Sequence, residues 1–398
     1  MATLRRYTIT NVQISKPQPV QMLDFSRQFA AIRQELLEAI EAVCISQRFI
    51  LGPQVASFEK AAANACAVSH AIGCASGTDA IWLALAAANV GQGDAVITTP
   101  FSFFASVSAI LRCGAQPLLA DIDPATFNLS AAATEEVIRG HTVSNTKIKA
   151  ILPVHLYGQC ADWTAFTVLK QSFDILLVED AAQAFGATWN GTPAGALGDA
   201  AAFSFYPTKN LSAMGDAGLV TTSSAAIDDH ARVLRAHGMR RRYYHDEIGW
   251  NSRLDSLQAA ILEVKLRYLP DWNRKRRDRA ARYNQLFLDA NLTASTVKEG
   301  IVLPFNDPRA GHVFHQYVIR APRRDDLRQY LTDRQIGSEI YYPLPLHLQT
   351  SLASLGHKKG DFPGSEAAAN EVLALPMYPE LRDDEQQTVV DSIASFYD

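Results

Sequence analysis

Short apolar segments that alternate with stretches of helix length constrain the fold of this chain more than any other feature. Their composition is typical of buried β-strands, and they lie at 71–75, 95–98, 116–122, 149–156, 175–179, 200–205 and 219–222. Most of them are separated by helical or loop segments of helix length. This alternation predicts an α/β fold with a mostly parallel sheet covered by helices on both faces.

The chain has 398 residues, which is more than one hydrophobic core usually supports. We therefore expect an N-terminal arm at 1–22, a large domain at 23–265 and a smaller C-terminal domain at 266–398. The polar arm should lie on a partner or on a domain surface. A helix predicted at 254–269 should link the two domains and end at Pro270, since proline disrupts a helix interior.

Composition excludes several classes of function. A net charge of −4 argues against a nucleic-acid-binding protein that depends on phosphate contacts. No stretch approaches the roughly 20 uninterrupted apolar residues of a membrane span, and the N-terminus lacks the apolar core of a signal peptide. The five cysteines form no C-x-x-C pair. We expect a cytoplasmic protein whose cysteines are buried and reduced, with no metal site.

Two side chains that could take part in catalysis, an amine and a carboxylate, lie at the ends of predicted strands. The apolar run at 200–205 breaks at Pro207, so Lys209 should lie on a turn at the end of a strand. The segment DILLVED ends in Glu179 and Asp180. An amine that can form a Schiff base and a carboxylate that can keep a heteroaromatic nitrogen protonated are the two groups that pyridoxal phosphate chemistry requires.

A third strand end carries a candidate phosphate site. The strand at 71–75 is followed by Gly77, Thr78 and an alanine-rich helix at 80–88. Unpaired amide groups and the helix dipole make such a helix start a site for phosphate. The alternative is that Thr78 or Asp79 only caps the helix. The later segment NVGQGD follows a helix, so it is a turn and disfavours a dinucleotide-binding oxidoreductase.

Seven motifs, in order along the chain, extend these local signals. They are CASGTDA, ITTPFSFFAS, PVHLYGQ, VEDAAQAFGA, FSFYPTKNL followed by GDAG, GWNSRLDSLQAA, and YYPLPLHLQ. Together they resemble the DegT/DnrJ/EryC1/StrS family of pyridoxal-phosphate-dependent sugar aminotransferases over residues 23–380. The resemblance implies the type I aspartate aminotransferase fold, with a large domain and a smaller C-terminal α+β domain.

The resemblance also implies roles around the cofactor ring. Lys209 matches the Schiff-base lysine, which also carries the proton in catalysis, and Asp180 matches the partner of the pyridine nitrogen. Gln183 matches the residue beside the phenolic oxygen of the cofactor. Phe103 matches the aromatic residue that stacks on the ring, with Phe104 as the alternative if the loop is shifted by one residue.

Four residues match the phosphate-binding positions of the family. Gly77, Thr78 and Ser204 would bind the phosphate within one subunit, and Asn251 would reach it from the other subunit of a homodimer. The alternatives are that Ser204 is an ordinary strand residue and that Asn251 caps the helix predicted from Leu254.

Three positions depart from the family pattern. Ser102 stands where threonine usually precedes the stacking aromatic residue, and it keeps the hydroxyl. Ala217 stands where a glycine is usual and would strain the turn if a positive φ is needed there. Ser212 also stands where a glycine is frequent.

Substrate contacts are implied more weakly. His155 follows a predicted strand and is either a structural histidine or a substrate contact. Tyr341 and His347 lie on the proline-rich loop that the family places near its substrate. The basic segment HGMRRRYYH at 237–245 is either a solvated loop or a contact to the diphosphate of a nucleotide-sugar near the dimer interface.

These observations predict an aminotransferase that converts a nucleotide-linked keto-sugar to an amino sugar with L-glutamate as donor. We favour a 3-keto sugar on dTDP or UDP, with a 4-keto sugar as the alternative. A sugar dehydratase of this family typically has histidine where Lys209 stands. A regulator that only senses a ligand would not need Lys209, Asp180, Gln183 and Ser204 together.

Overall fold

The computed structural model describes residues 19–141 and 146–398. Most of the predicted arm at 1–22 lies outside the described residues. At its end, the Val20 amide donates to the Gln335 carbonyl at 3.0 Å, and the Gly337 amide donates to the Val20 carbonyl at 2.7 Å. Residue 20 therefore pairs with the C-terminal part of its own chain.

The strands of the described residues are short, and most are buried. They are β1 (His70–Cys74), β2 (Asp94–Thr98), β3 (Gln116–Leu119), β4 (Lys147–Ile151), β5 (Leu176–Asp180), β6 (Thr188–Trp189), β7 (Thr192–Pro193), β8 (Ala200–Ser204), β9 (Gly218–Thr222), β10 (Met239–Arg241), β11 (Tyr244–His245), β12 (Ala310–Gly311), β13 (Tyr317–Arg320) and β14 (Val372–Leu375).

The helices fill most of the segments between these strands. They are α1 (Phe25–Ser46), α2 (Pro53–Ala65), α3 (Gly77–Ala87), α4 (Ala105–Arg112), α5 (Ala131–Gly140), α6 (Trp163–Phe173), α7 (Ala225–Leu234), α8 (Ser256–Leu266), α9 (Leu269–Asp289), α10 (Arg324–Asp333), α11 (Pro363–Glu371) and α12 (Asp383–Tyr397).

Seven strands form the central sheet in the order β1-β9-β8-β5-β4-β2-β3. The strands from β8 to β3 pair in parallel, and β9 is antiparallel to both β1 and β8. Successive side chains of one strand point to opposite faces. Accordingly, Leu177 and Phe203 pack in the cluster with α1, α2, α6 and α8, whereas Val178 and Ala202 pack in the cluster with α3, α4 and α7. The predicted mostly parallel, two-sided sheet is confirmed.

A third apolar cluster surrounds the antiparallel pair β13 and β14. Helices α9, α10 and α12 contribute to it, with Tyr283 and Tyr317 stacked at 4.9 Å between ring centroids. This cluster supports a domain boundary near residue 266, which we propose as the start of the small domain.

Pro270 does not end a helix as expected. Helix α8 ends at Leu266, and α9 begins at Leu269 with Pro270 in its first turn. A first-turn amide has no intrahelical partner, so proline is tolerated there. The backbone strain expected at Ala217 if its φ were positive does not arise, because φ at that residue is not positive.

Two further expectations concern cysteines and membranes. Cys66, Cys74 and Cys160 are buried as expected, but Cys44 is exposed. Burial raises the pKa of the buried thiols, which keeps them protonated. Within 19–141 and 146–398, no helix has the length and apolar composition needed to span a bilayer.

Candidate active site

The carboxyl ends of β5 and β8 bring the main candidate residues to one edge of the sheet. These strands pair in parallel, with Asp180 opposite Ala202, so both end on the same side. Lys209 follows β8 on a turn in which its amide donates to the Tyr206 carbonyl at 2.8 Å. The predicted placement of Lys209 beyond a strand end is therefore confirmed.

The Lys209 amine is surrounded by protein on most sides, although the residue stays partly open to solvent. Burial lowers the pKa of Lys209 to about 8, and the charge of Asp180 acts in the opposite direction. The amine is mainly charged below pH 8 and mainly neutral above it. At pH 7 about a tenth of it is neutral, which is enough for the amine to act as a nucleophile or base.

Asp180 is buried and held by specific hydrogen bonds. Its Oδ2 accepts from the Ser106 hydroxyl at 2.7 Å, and its Oδ1 accepts from the Ala182 amide at 3.3 Å. Burial raises the pKa of Asp180, while these hydrogen bonds and the charge of Lys209 oppose that rise. The Ser106 hydroxyl also contacts that of Ser102 at 2.9 Å. The carboxyl group is thus fixed in orientation within electrostatic reach of the lysine.

Gln183 connects this edge of the sheet to the C-terminal loop. Its Oε1 accepts from the Tyr157 amide at 2.6 Å, and its Nε2 donates to the Tyr342 hydroxyl at 3.2 Å. The ring centroids of Tyr342 and Phe103 are 6.4 Å apart. Phe103 is 60% exposed, so its ring is available to a ligand, and Phe104 is 37% exposed.

The start of α3 lies against Ser204. The helix begins at Gly77 and is capped by Ser76, whose hydroxyl accepts from the Asp79 amide at 3.1 Å. The cap is therefore neither Thr78 nor Asp79. The first-turn amides of Gly77 and Thr78 lie where helix geometry supplies no partner. A Cβ atom on Gly77 would lie 2.5 Å from the Cβ of Ser204, so only glycine allows this approach.

We expect Gly77→Ala to destabilise the protein by about 1–3 kcal/mol, because the added methyl group would overlap Ser204. Chemical denaturation of the variant measures this loss. The control is Gly140→Ala, since nothing lies within 4 Å of a Cβ at Gly140. Adding Ser204→Gly to Gly77→Ala should recover most of the stability. Equal stability of Gly77→Ala and wild type would contradict the close packing described above.

Asn251 is exposed and does not cap α8. The cap is Asp255, whose side chain accepts from the Gln258 amide at 2.8 Å, so the cap alternative for Asn251 is wrong. The neighbouring Ser252 hydroxyl donates to Asp79 at 2.6 Å. This hydrogen bond fixes the segment of Asn251 beside the first turn of α3, and its role toward a second subunit stays a prediction.

The two candidate substrate histidines are enclosed by protein. His155 lies between Glu179, at 3.1 Å from Nε2, and the Ala161 amide, which donates to Nδ1 at 3.1 Å. The His347 Nε2 atom lies 3.1 Å from Glu366. Neither side chain is exposed to solvent. For His155 this position favours the structural alternative.

Tyr341 is partly exposed and lines a small cavity together with Thr208 and His315. Its carbonyl accepts a hydrogen bond from the Tyr157 hydroxyl. Tyr341 therefore stays a candidate for substrate contact, since Thr208 directly precedes Lys209.

Sequence reasoning missed two residues near Lys209 and Asp180. Ser106 follows Ser102 by four residues at a strand-to-helix junction, a spacing that could have indicated a shared face. His315 had no local signal, because its partner Asn210, at 3.2 Å from Nδ1, is 105 residues away. Burial and the charge of Lys209 hold the pKa of His315 well below its usual value, so its ring is neutral.

The basic segment 237–245 forms an exposed hairpin of β10 and β11. Arg240 pairs with Asp229 at 2.6 Å. Arg241 and Arg242 lie over the rings of Tyr244 and Tyr243, at 3.9 and 4.9 Å from the centroids. Among the described residues neither of these two arginines forms an ion pair with a carboxylate.

Comparison with known proteins identifies relatives over nearly the whole chain. The sequence profile of the DegT/DnrJ/EryC1/StrS aminotransferase family matches residues 30–394. The chain is 47% identical to the pleiotropic regulatory protein of Geobacillus stearothermophilus over 95% of its length and 98% of that protein. It is 40% identical to the UDP-N-acetyl-3-dehydro-alpha-D-glucosamine 3-aminotransferase of Acidithiobacillus ferrooxidans, over 92% of this chain and 95% of the relative.

A solved structure extends this similarity to the fold. The structure of S. venezuelae DesV in complex with a ketimine intermediate superposes with a TM-score of 0.89 and 37% identity. The match covers 95% of this chain and 98% of that chain. The predicted type I fold is therefore confirmed.

Proposed function

We propose a sugar-aminating reaction for this protein. The chain belongs to the DegT/DnrJ/EryC1/StrS aminotransferase family and is a pyridoxal-phosphate-dependent transaminase. The proposed reaction transfers the amino group of L-glutamate to a nucleotide-linked 3-keto sugar. The observation that carries this proposal is the placement of Lys209 and the buried Asp180 at one edge of the sheet, where each charge shifts the pKa of the other group.

The residues at this edge fit pyridoxal phosphate. Gly77 lets the start of α3 pack closely against Ser204, and the free first-turn amides there suit a phosphate. We propose that Gly77, Thr78 and Ser204 bind this phosphate. Phe103, with its exposed ring, would cover one face of the pyridine ring, and Gln183 would lie near its phenolic oxygen.

The cofactor, when bound, supplies an electron sink for the carbon that loses its proton. Asp180 would hold the proton of the pyridine nitrogen, and the hydrogen bond from Ser106 orients its carboxylate for this task. Lys209 Nζ would accept the proton from Cα of L-glutamate. In its charged form the same atom would donate a proton to the sugar carbon that receives the amino group. A pKa of Lys209 near 8 suits both directions of transfer.

The 3-keto preference is supported by the similarity to a UDP-linked 3-aminotransferase. We expect the protein to aminate dTDP- or UDP-linked 3-keto sugars with L-glutamate at least about tenfold faster than 4-keto sugars, because a misplaced carbonyl loses the near-attack geometry. Product mass and proton couplings after incubation with both series measure this. A preference for 4-keto sugars would overturn the choice of carbon but not the transaminase chemistry.

The hairpin at 239–245 supports a nucleotide-sugar substrate. Arg241 and Arg242 are exposed on it, and guanidinium groups suit bidentate contacts to a diphosphate. We propose that this hairpin contacts the diphosphate of the substrate near an interface between two subunits.

We further propose a homodimer in which Asn251 of one subunit reaches the cofactor phosphate of the other. Mixing a Lys209→Ala protomer with an Asn251→Asp protomer should then restore activity to about half of wild type per heterodimer. One site of that heterodimer carries both changes and the other carries neither. A site built from one chain would stay inactive in both halves, so an unrestored mixture would contradict the shared site.

The similarity to a protein named as a regulator makes ligand sensing the rival function. The two functions differ in their response to glutamate. A transaminase with bound cofactor should show a visible absorbance band that L-glutamate bleaches, whereas a regulator need show neither. We propose the cytoplasm as the location of the reaction, because the unpaired cysteines suit a reducing compartment.

A further inference from the structure

A cavity of about 350 Å³ lies between α1 and the loop that carries Lys209. Four side chains of α1 form an apolar wall: Phe25, Phe29, Ile32 and Leu36. Met214, from the loop, also lines the cavity, and Lys265 of α8 contributes its one ionisable group. A volume of this size accepts a small organic molecule.

Lys265 is an unusual residue for such a place. It is buried, and its Nζ donates to the Ser212 hydroxyl at 3.0 Å. An ammonium group has three donors, so this hydrogen bond uses only one of them. Among the described residues no carboxylate pairs with Lys265, whereas Lys170 pairs with Asp199. Burial lowers the pKa of Lys265 to about 8.

We propose that this cavity binds a small monocarboxylate with an aromatic or branched apolar body. The carboxylate would form an ion pair with the Lys265 ammonium and accept a hydrogen bond from the Ser212 hydroxyl. It would thereby supply the negative charge that the cavity lacks. The apolar body would pack against Phe25, Phe29 and the other side chains of the α1 wall. Apolar contact and one buried cation together define this class of ligand.

The cavity is distinct from the proposed catalytic site but shares the loop of Lys209. Pro207, Ser212 and Met214, which flank Lys209 in the sequence, all line it. Ser212 stands where the family frequently has glycine, so the hydroxyl that supports Lys265 is a feature of this chain. A ligand in the cavity would contact this loop from the side of α1, and this inference does not depend on which sugar is aminated.

The direct test is calorimetry of the holoenzyme with 3-phenylpropionate and with the neutral 3-phenylpropionamide. We expect the carboxylate to bind at least about tenfold more tightly than the amide, because only the carboxylate pairs with the ammonium. Its affinity should fall about tenfold between pH 7 and pH 9, as the amine with a pKa of about 8 loses its proton. Equal affinity of acid and amide, or no binding of either, overturns the proposal.

Two further measurements separate this cavity from the catalytic site. Lys265→Met should abolish the preference for the acid, whereas Lys60→Met, a change on the exposed face of α2, should keep it. In the wild-type protein, 3-phenylpropionate should slow acetylation of Lys265 by acetic anhydride, as read by peptide mass spectrometry, and leave Lys60 unchanged. Binding that survives Lys265→Met, or unprotected acetylation of Lys265, overturns the proposal.

Discussion

Replacing Lys209 with alanine is expected to lower kcat by at least about 10⁴-fold, because the change removes both the amine that joins the cofactor and the proton carrier. The variant should still bind pyridoxal phosphate through the start of α3 and Ser204, with weaker retention. Turnover is measured with L-glutamate and the keto-sugar, and cofactor content by absorbance after gel filtration.

The control for Lys209→Ala is Lys170→Ala. Lys170 precedes β5 in the sequence and forms an ion pair with Asp199, which follows β5. Neither residue takes part in the proposed chemistry. The Lys170→Ala variant should keep near-normal turnover with little change in stability, since a partly exposed ion pair contributes at most about 1 kcal/mol. Transaminase activity in a clean preparation of Lys209→Ala would refute the assignment of this lysine.

Asp180→Asn is expected to lower the rate of proton removal from glutamate by about 10²–10⁴-fold. A neutral amide cannot hold the pyridine nitrogen protonated, although it keeps the size of the carboxyl group. Because Asp180 is buried and its pKa is raised by burial, the amide should not destabilise the fold by more than about 1–2 kcal/mol. Single-turnover kinetics with glutamate measure the effect.

Ser106→Ala provides a graded comparison with Asp180→Asn. It removes the 2.7 Å hydrogen bond to the carboxylate but leaves the charge in place. We expect a loss of about tenfold, corresponding to one charge-assisted hydrogen bond. Near-normal single-turnover rates in Asp180→Asn would show that this carboxylate does not control the ring nitrogen. In that case Asp180 would act on Lys209 only through its charge.

The sequence by itself determined the class of fold and the position of the two main groups. Strand periodicity and helix spacing are local, so the alternation along the chain was enough to predict a parallel sheet with helices on both faces. Pro207 marks the end of β8, and the carboxylates mark the end of β5. Each group could therefore be placed at a strand end, whereas the adjacency of β5 and β8, which brings both groups to one edge, was decided by the tertiary structure.

The tertiary structure decided which side chains touch those groups. Ser106 and Asp180 are 74 residues apart and Gln183 and Tyr342 are 159 apart, so no local pattern reports their hydrogen bonds. The enclosure of His155 likewise depends on Glu179, which is 24 residues away and lies 3.1 Å from its Nε2 atom. Residues at strand ends look alike in sequence, and only packing separates an enclosed residue from an open one.

Tertiary structure also decided the meaning of single residues at element ends. Pro270 lies in the first turn of α9 because α8 ends before it. Gly77 is required because Ser204 packs against it and not because of its own φ. In the sequence, nothing distinguishes Lys265 from the other lysines of predicted helices. In the structure Lys265 is buried beside a cavity, without an acidic partner among the described residues. This position results from the packing of α1, α8 and the loop of Lys209, which are distant in the sequence.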